Sequence, residues 1–102
     1  MTETTLGHLA TLVRAKNAGP FWMTIDVFLD TDEDYQRAAA VVTTDVVGRL
    51  YRTDPAAVRV HLLPTIRVIK ASFPRPLVQG SFADRDMHAG QQHIPLADLP
   101  VR

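Results

Sequence analysis

The chain has no cysteine, which removes a disulfide framework, a thiolate nucleophile, an iron–sulfur cluster and a thiolate-held zinc from consideration. No apolar run approaches the roughly 18 residues of a membrane span. The first residues, Met1-Thr2-Glu3-Thr4-Thr5, lack the basic start and apolar stretch of a secretory signal, so the expected location is cytoplasmic. Neither charge is in excess: 11 Lys and Arg balance 11 Asp and Glu over 102 residues. That balance argues against a nucleic-acid binder working through bulk positive charge, and neither nucleic acid nor membrane is an expected partner. A phosphate-binding loop with its Lys-Ser/Thr pair is missing, and no spacing suggests a Ser-His-Asp arrangement. What remains, 46% hydrophobic and 22% charged residues, fits one folded domain over residues 1–102.

The balanced charge is unevenly distributed. Residues 1–51 hold four basic and seven acidic side chains, and residues 52–102 hold seven basic and four acidic. No acid lies between Asp54 and Asp84, a stretch that carries Arg59, Arg67, Lys70 and Arg75. Two readings stay open for it: a solvated basic strand pair, or an anion site or docking surface for an acidic partner.

Periodicity gives the elements. Leu6, Leu9, Leu12 and Val13 fall on one helical stripe, which predicts a helix over Thr5 to Asn17, stopped by Lys16-Asn17-Ala18-Gly19-Pro20; a short strand running into a loop is the competing reading. Phe21 to Asp30 switches to period 2, with Phe21, Met23, Ile25, Val27 and Leu29 on one face, and reads as a strand. Thr31 followed by Asp32, Glu33 and Asp34 is a helix start, with acids where the helix dipole favours them, and Thr43-Thr44-Asp45 repeats the signal. The acidic cluster is thereby assigned to capping rather than to a metal. Asp54-Pro55 marks a turn, Val58 to Leu63 a strand, and Ile66 to Phe73 another after Pro64. From Pro74 to Arg102 the expectation is irregular chain over the surface, with a short strand around Gln92 to Leu96. The predicted fold is a small α+β domain, helices on one face of a mostly antiparallel sheet.

Four groups could carry chemistry. Asp84, Asp86, His88, Gln91, Gln92 and His93 offer carboxylate and imidazole groups that suit a divalent ion or acid–base catalysis; a polar loop satisfying its own backbone is the plain alternative. No cofactor and no protein-held metal is assigned. Lys16 and Asn17 beside Gly19 suit a carboxylate or phosphate, although a helix C-terminus there would disfavour anions. Lys70 shares a strand face with Ile66 and Val68, either because the strand end reaches solvent or because its ammonium meets a charge partner. Arg75, between Pro74 and Pro76, sits on a stiff segment suited to anion contact or docking. His8 and His61 read as structural.

Several of these segments together resemble a bacterial family, domain of unknown function 4387. The resemblance rests on Arg14-Ala15 with Lys16-Asn17-Ala18-Gly19-Pro20-Phe21, on Ile69-Lys70-Ala71, on Pro74-Arg75-Pro76, and on Gly80-Ser81, Asp84, Asp86 and Ala89-Gly90-Gln91-Gln92-His93-Ile94-Pro95-Leu96. It covers nearly the whole chain and departs at Met87-His88, where the family more often shows a hydrophobic or aromatic pair. The resemblance implies a small partner, or C-terminal extension, of large subunits similar to the acyclic-terpene-utilisation protein AtuA. It further implies a ferredoxin-like α+β fold and a role in catabolism of carboxylic or acyl-CoA compounds, by hydration, dehydration or lyase steps.

The expected function follows from that context: an accessory subunit that completes the active site of an AtuA-like large subunit acting on a small carboxylate or acyl-CoA. Lys16, Lys70 or Arg75 would neutralise the carboxylate, Asn17, Gln91 and Gln92 would orient it, and His93 would transfer the proton. The alternative is a non-catalytic stabilising or regulatory module whose polar tail only docks.

Overall fold

The computed structural model describes residues 4–19, 21–74 and 94–101. The chain starts with β1 (Thr4–Thr5) and a one-turn helix, α1 (Leu6–Leu9), followed by a hairpin of β2 (Leu12–Asn17) and β3 (Trp22–Phe28). Two helices come next, α2 (Asp32–Val41) and α3 (Thr44–Leu50), then β4 (Arg59–Leu63) and β5 (Val68–Pro74). Helix α4 (Ile94–Ala97) and β6 (Pro100–Val101) complete the described elements. A four-stranded antiparallel sheet has the order β2-β3-β5-β4, and β1 pairs with β6 in a separate two-stranded ribbon. The predicted α+β class, with an antiparallel sheet and helices, is what forms.

The helical stripe at the start does not become one long helix. The helix ends at Ala10, which takes an extended conformation (φ −79°, ψ 149°), and the Thr11 N–H donates to the Phe28 carbonyl at 2.7 Å. From there the chain pairs with β3 along six residues. Strand β3 has five consecutive buried residues, Met23 to Val27, and needs hydrogen-bonded neighbours on both sides. That demand overrides the stripe and leaves Leu12 half exposed. The Gly that reads as a helix stop serves the hairpin instead: Gly19 has φ +86°, a conformation that favours glycine.

The core lies between one face of the sheet and the helices. Ala15, Met23, Ile25, Val27, Ile69, Ala71 and Phe73 meet Tyr35, Ala38 and Val42 from α2 and its end, and Val47 and Tyr51 from α3 and its end. Both helices start as expected, Thr31 accepting from the Asp34 N–H at 3.1 Å and Thr43 from the Val46 N–H at 3.3 Å. The C-terminal segment contradicts the expectation of surface chain: Leu96 and Val101 are fully buried in this core with Leu6. Residues 94–97 form a helix, not the end of a strand, and the Leu96 N–H donates to the Tyr51 hydroxyl at 3.2 Å. Apolar residues near the two ends close the core together, which a strictly local reading misses.

Strands β3 and β4 both run antiparallel to β5, which lies between them. With α2 and α3 as the connection, they make the split β–α–β unit characteristic of ferredoxin-like sheets. The fourth strand differs in its connection: β2 enters by a hairpin from the N-terminal side.

Candidate functional site

Register places two polar rows on the sheet face opposite the core. Residues directly paired across antiparallel strands point to the same side. One row is Lys16, Thr24, Ser72 and Arg59; the next is Arg14, Asp26, Lys70 and His61. Beyond the second row stand Leu12, Phe28, Val68 and Leu63, and beyond the first stands Trp22 opposite Pro74. With strands about 4.8 Å apart, each row spans roughly 14 Å.

Asp26 is the centre of this arrangement. It is 3% exposed in the middle of the central strand, an expensive place for a carboxylate without partners. Lys70 Nζ lies 3.2 Å from its Oδ1 and Arg14 lies 3.8 Å from its Oδ2. The Lys70 contact is a charge contact only: among the described residues no group donates to Oδ1 in hydrogen-bond geometry. Both cations stay partly in water, with side chains 36% and 55% exposed, so each pair contributes only modestly to stability.

The other members are held in place by neighbours on the same face. The Arg14 guanidinium lies over Phe28, 5.6 Å from the ring centre, and that of Arg59 over Trp22 at 5.7 Å, distances at which a cation is attracted to the ring. The Thr24 and Ser72 hydroxyls are 3.3 Å apart between Lys16 and Arg59. Counting His61 as neutral, the two rows carry four cations against one carboxylate. A sheet face with that excess attracts anions and offers hydroxyls as further ligands.

The candidates read from the sequence divide accordingly. Lys16 and Lys70 come together on this face. Lys70 stands in mid-strand against Asp26, so its ammonium has a charge partner and is not the solvated end of a strand. The objection to Lys16 as an anion ligand disappears, because it ends a strand and no helix dipole opposes it. Asn17 is on the core-side face, in register with Met23, and does not converge with Lys16. Arg75, Gln91, Gln92 and His93, with Asp84, Asp86 and His88, lie outside the described residues. His61, read as structural, is exposed beside Lys70. Arg59 belongs to the acid-free basic stretch for which an anion site is one reading; Arg14, Thr24, Asp26 and Ser72 are additions of the structure, signalled in the sequence only by a lone acid between Ile25 and Val27 and by the cation of a strand free of acids. A separate groove of about 520 Å³ beside α2, lined by Gln36, Arg37, Ala40, Val41 and Pro100, includes none of these residues.

A family model described as domain of unknown function (DUF4387) matches residues 6–100. The chain belongs to this family. No curated protein and no solved structure matches it. The DUF4387 match takes in every strand of the main sheet and both polar rows. Among the described residues no helix is long and apolar enough to cross a membrane.

Proposed function

We propose that this chain is a cytoplasmic accessory subunit of a heteromeric enzyme whose large subunit is AtuA-like, and that its polar sheet face supplies the cations for a small carboxylate or acyl-CoA substrate. The observation that supports this reading is the pair of rows in which Arg14 and Lys70 flank one buried carboxylate while Lys16 and Arg59 stand in the adjacent row. Their excess positive charge suits the carboxylate or phosphate groups of such compounds. A sheet face is a platform, and excluding water from a reaction on it takes a second surface. The large subunit provides that surface in this reading. The reaction is a hydration, dehydration or lyase step, with Lys16 and Lys70 neutralising the substrate. Arg75, Gln91 and Gln92 contribute orientation, and His93 moves the proton.

The test is co-purification of the tagged chain with its partner from native lysate, followed by mass measurement and turnover assays on the pair. The expected result is a stoichiometric complex with a large AtuA-like subunit, active as a pair and inactive as the isolated chain. Full turnover by the isolated chain overturns the subunit reading. An intact complex whose turnover survives both Lys16→Ala and His93→Ala identifies the chain as a non-catalytic stabilising module.

A further inference from the structure

We infer that the two polar rows accept a small 2- or 3-hydroxy carboxylate, whose carboxylate sits on Lys70 and Arg14 and whose hydroxyl donates to Oδ1 of Asp26. The inference rests on the carboxylate-binding reading of this face and adds the second functional group of the ligand. Its starting point is the state of Asp26. The carboxylate is 3% exposed, and among the described residues its Oδ1 is enclosed without a hydrogen-bond donor. A buried acceptor left in that state is costly and is normally satisfied. A carboxylate between two cations only accepts, so the missing partner is a donor.

Charge selects the kind of donor. With four cations to one carboxylate around it, an ammonium group would enter against repulsion from Lys70 and Arg14, whereas a hydroxyl enters neutral. Geometry selects the length. The carboxylate meets Lys70 and the hydroxyl meets Oδ1, two groups only 3.2 Å apart, so the two functions stand close together on the ligand, as in a 2- or 3-hydroxy acid. Entry takes a small shift of Lys70 Nζ, the cation nearest Oδ1. Lys70 and Arg14 are long, partly exposed side chains that reorient on the picosecond to nanosecond scale. The Thr24–Ser72 hydroxyl pair at 3.3 Å lies one row away, within reach of a second oxygen on the ligand.

The experiment is an amide-shift NMR titration of the full chain with 3-hydroxybutyrate, butyrate and 3-aminobutyrate at one ionic strength. The expected result is saturable shifts centred on Arg14, Asp26 and Lys70, with 3-hydroxybutyrate bound at least tenfold more tightly than either analogue. In Asp26→Ala the preference over butyrate disappears. Equal binding of 3-hydroxybutyrate and butyrate overturns the hydroxyl assignment while leaving the carboxylate reading standing. Absence of shifts on the two rows with all three compounds overturns both. Preference for the hydroxy acid that persists in Asp26→Ala also overturns the assignment. The comparison on the native chain needs no variant, so it decides the matter even if Asp26→Ala does not fold.

Discussion

Replacing Tyr51 by Phe removes the hydrogen bond that ties the C-terminal segment to the core. The Tyr51 hydroxyl accepts from the Leu96 N–H at 3.2 Å, and Leu96 is fully buried. The ring itself packs against Phe73 with centroids 4.6 Å apart, a contact that phenylalanine keeps. Tyr51→Phe therefore leaves a buried amide without an acceptor, a loss of about 1–3 kcal/mol. The bond lies at the long end of the normal range, which places the cost at about 1–2 kcal/mol, or a fall in Tm of roughly 5–15 °C for a domain of this size. The same residue carries a pH signature. Burial pushes the phenol well above its ordinary value of 10, outweighing the opposite influence of the bond from the Leu96 amide. The folded chain thus keeps a proton that the unfolded chain releases above pH 10. Stability from this source is complete below that pH and is lost as pH rises further. Between pH 10 and 11 the gap between the native chain and Tyr51→Phe should narrow by roughly 1 kcal/mol. Urea unfolding followed by circular dichroism at pH 7.5, 10 and 11 measures both effects. A difference below about 0.5 kcal/mol at pH 7.5, or a gap that does not narrow, would refute the assignment.

Two glycine exchanges have signs opposite to helix propensity. Gly48 lies inside α3, where alanine ordinarily gains about 1 kcal/mol, but a Cβ there would stand 2.9 Å from the Thr53 carbonyl oxygen and 3.0 Å from Pro55 Cγ. Gly48→Ala should destabilise by about 1–3 kcal/mol in the same urea assay, and a gain would show that the α3–Pro55 turn yields freely. Arg52, just past α3, has φ +54°; Arg52→Gly should stabilise by up to about 1 kcal/mol, read as a higher urea midpoint with unchanged slope.

The parts of the fold that were legible in the sequence are those where local pattern and tertiary demand coincide. Strand β3 shows alternation because one of its faces meets the core, and both Thr-capped helices are visible because a cap is a contact within one turn. Residues 6–9 form the expected helix, whereas residues 12–17 have an apolar spacing that satisfies a helix while the unpaired edge of β3 needs a strand. The burial of Leu96 and Val101 depends on contacts with Tyr51 and Leu6 that lie far away in sequence. For the site, the residue types of Lys16 and Lys70 were enough to suspect an anion. Their common face became visible only through register, because Lys16 was placed on a helix and the pairing of β3 with both β2 and β5 is a tertiary fact.

Stability and the proposed ligand recognition fall on opposite faces of the same strands. Met23, Ile25 and Val27 face the helices and are fully buried, while Thr24 and Asp26 between them face the other way. The apolar residues account for folding by removal of surface from water. Asp26 does not account for it in the same way: a buried carboxylate with half-solvated cations and one unbonded oxygen roughly breaks even, or loses, against an apolar side chain of similar size. The sheet would thus stand on its core face alone. A local arrangement that contributes little to folding, yet gathers Arg14, Asp26 and Lys70 from three strands, is the kind of departure from packing logic found at binding sites. The aromatic contacts of Arg14 and Arg59 point the same way, since they hold two cations at the border of the rows where an anion would meet them already oriented.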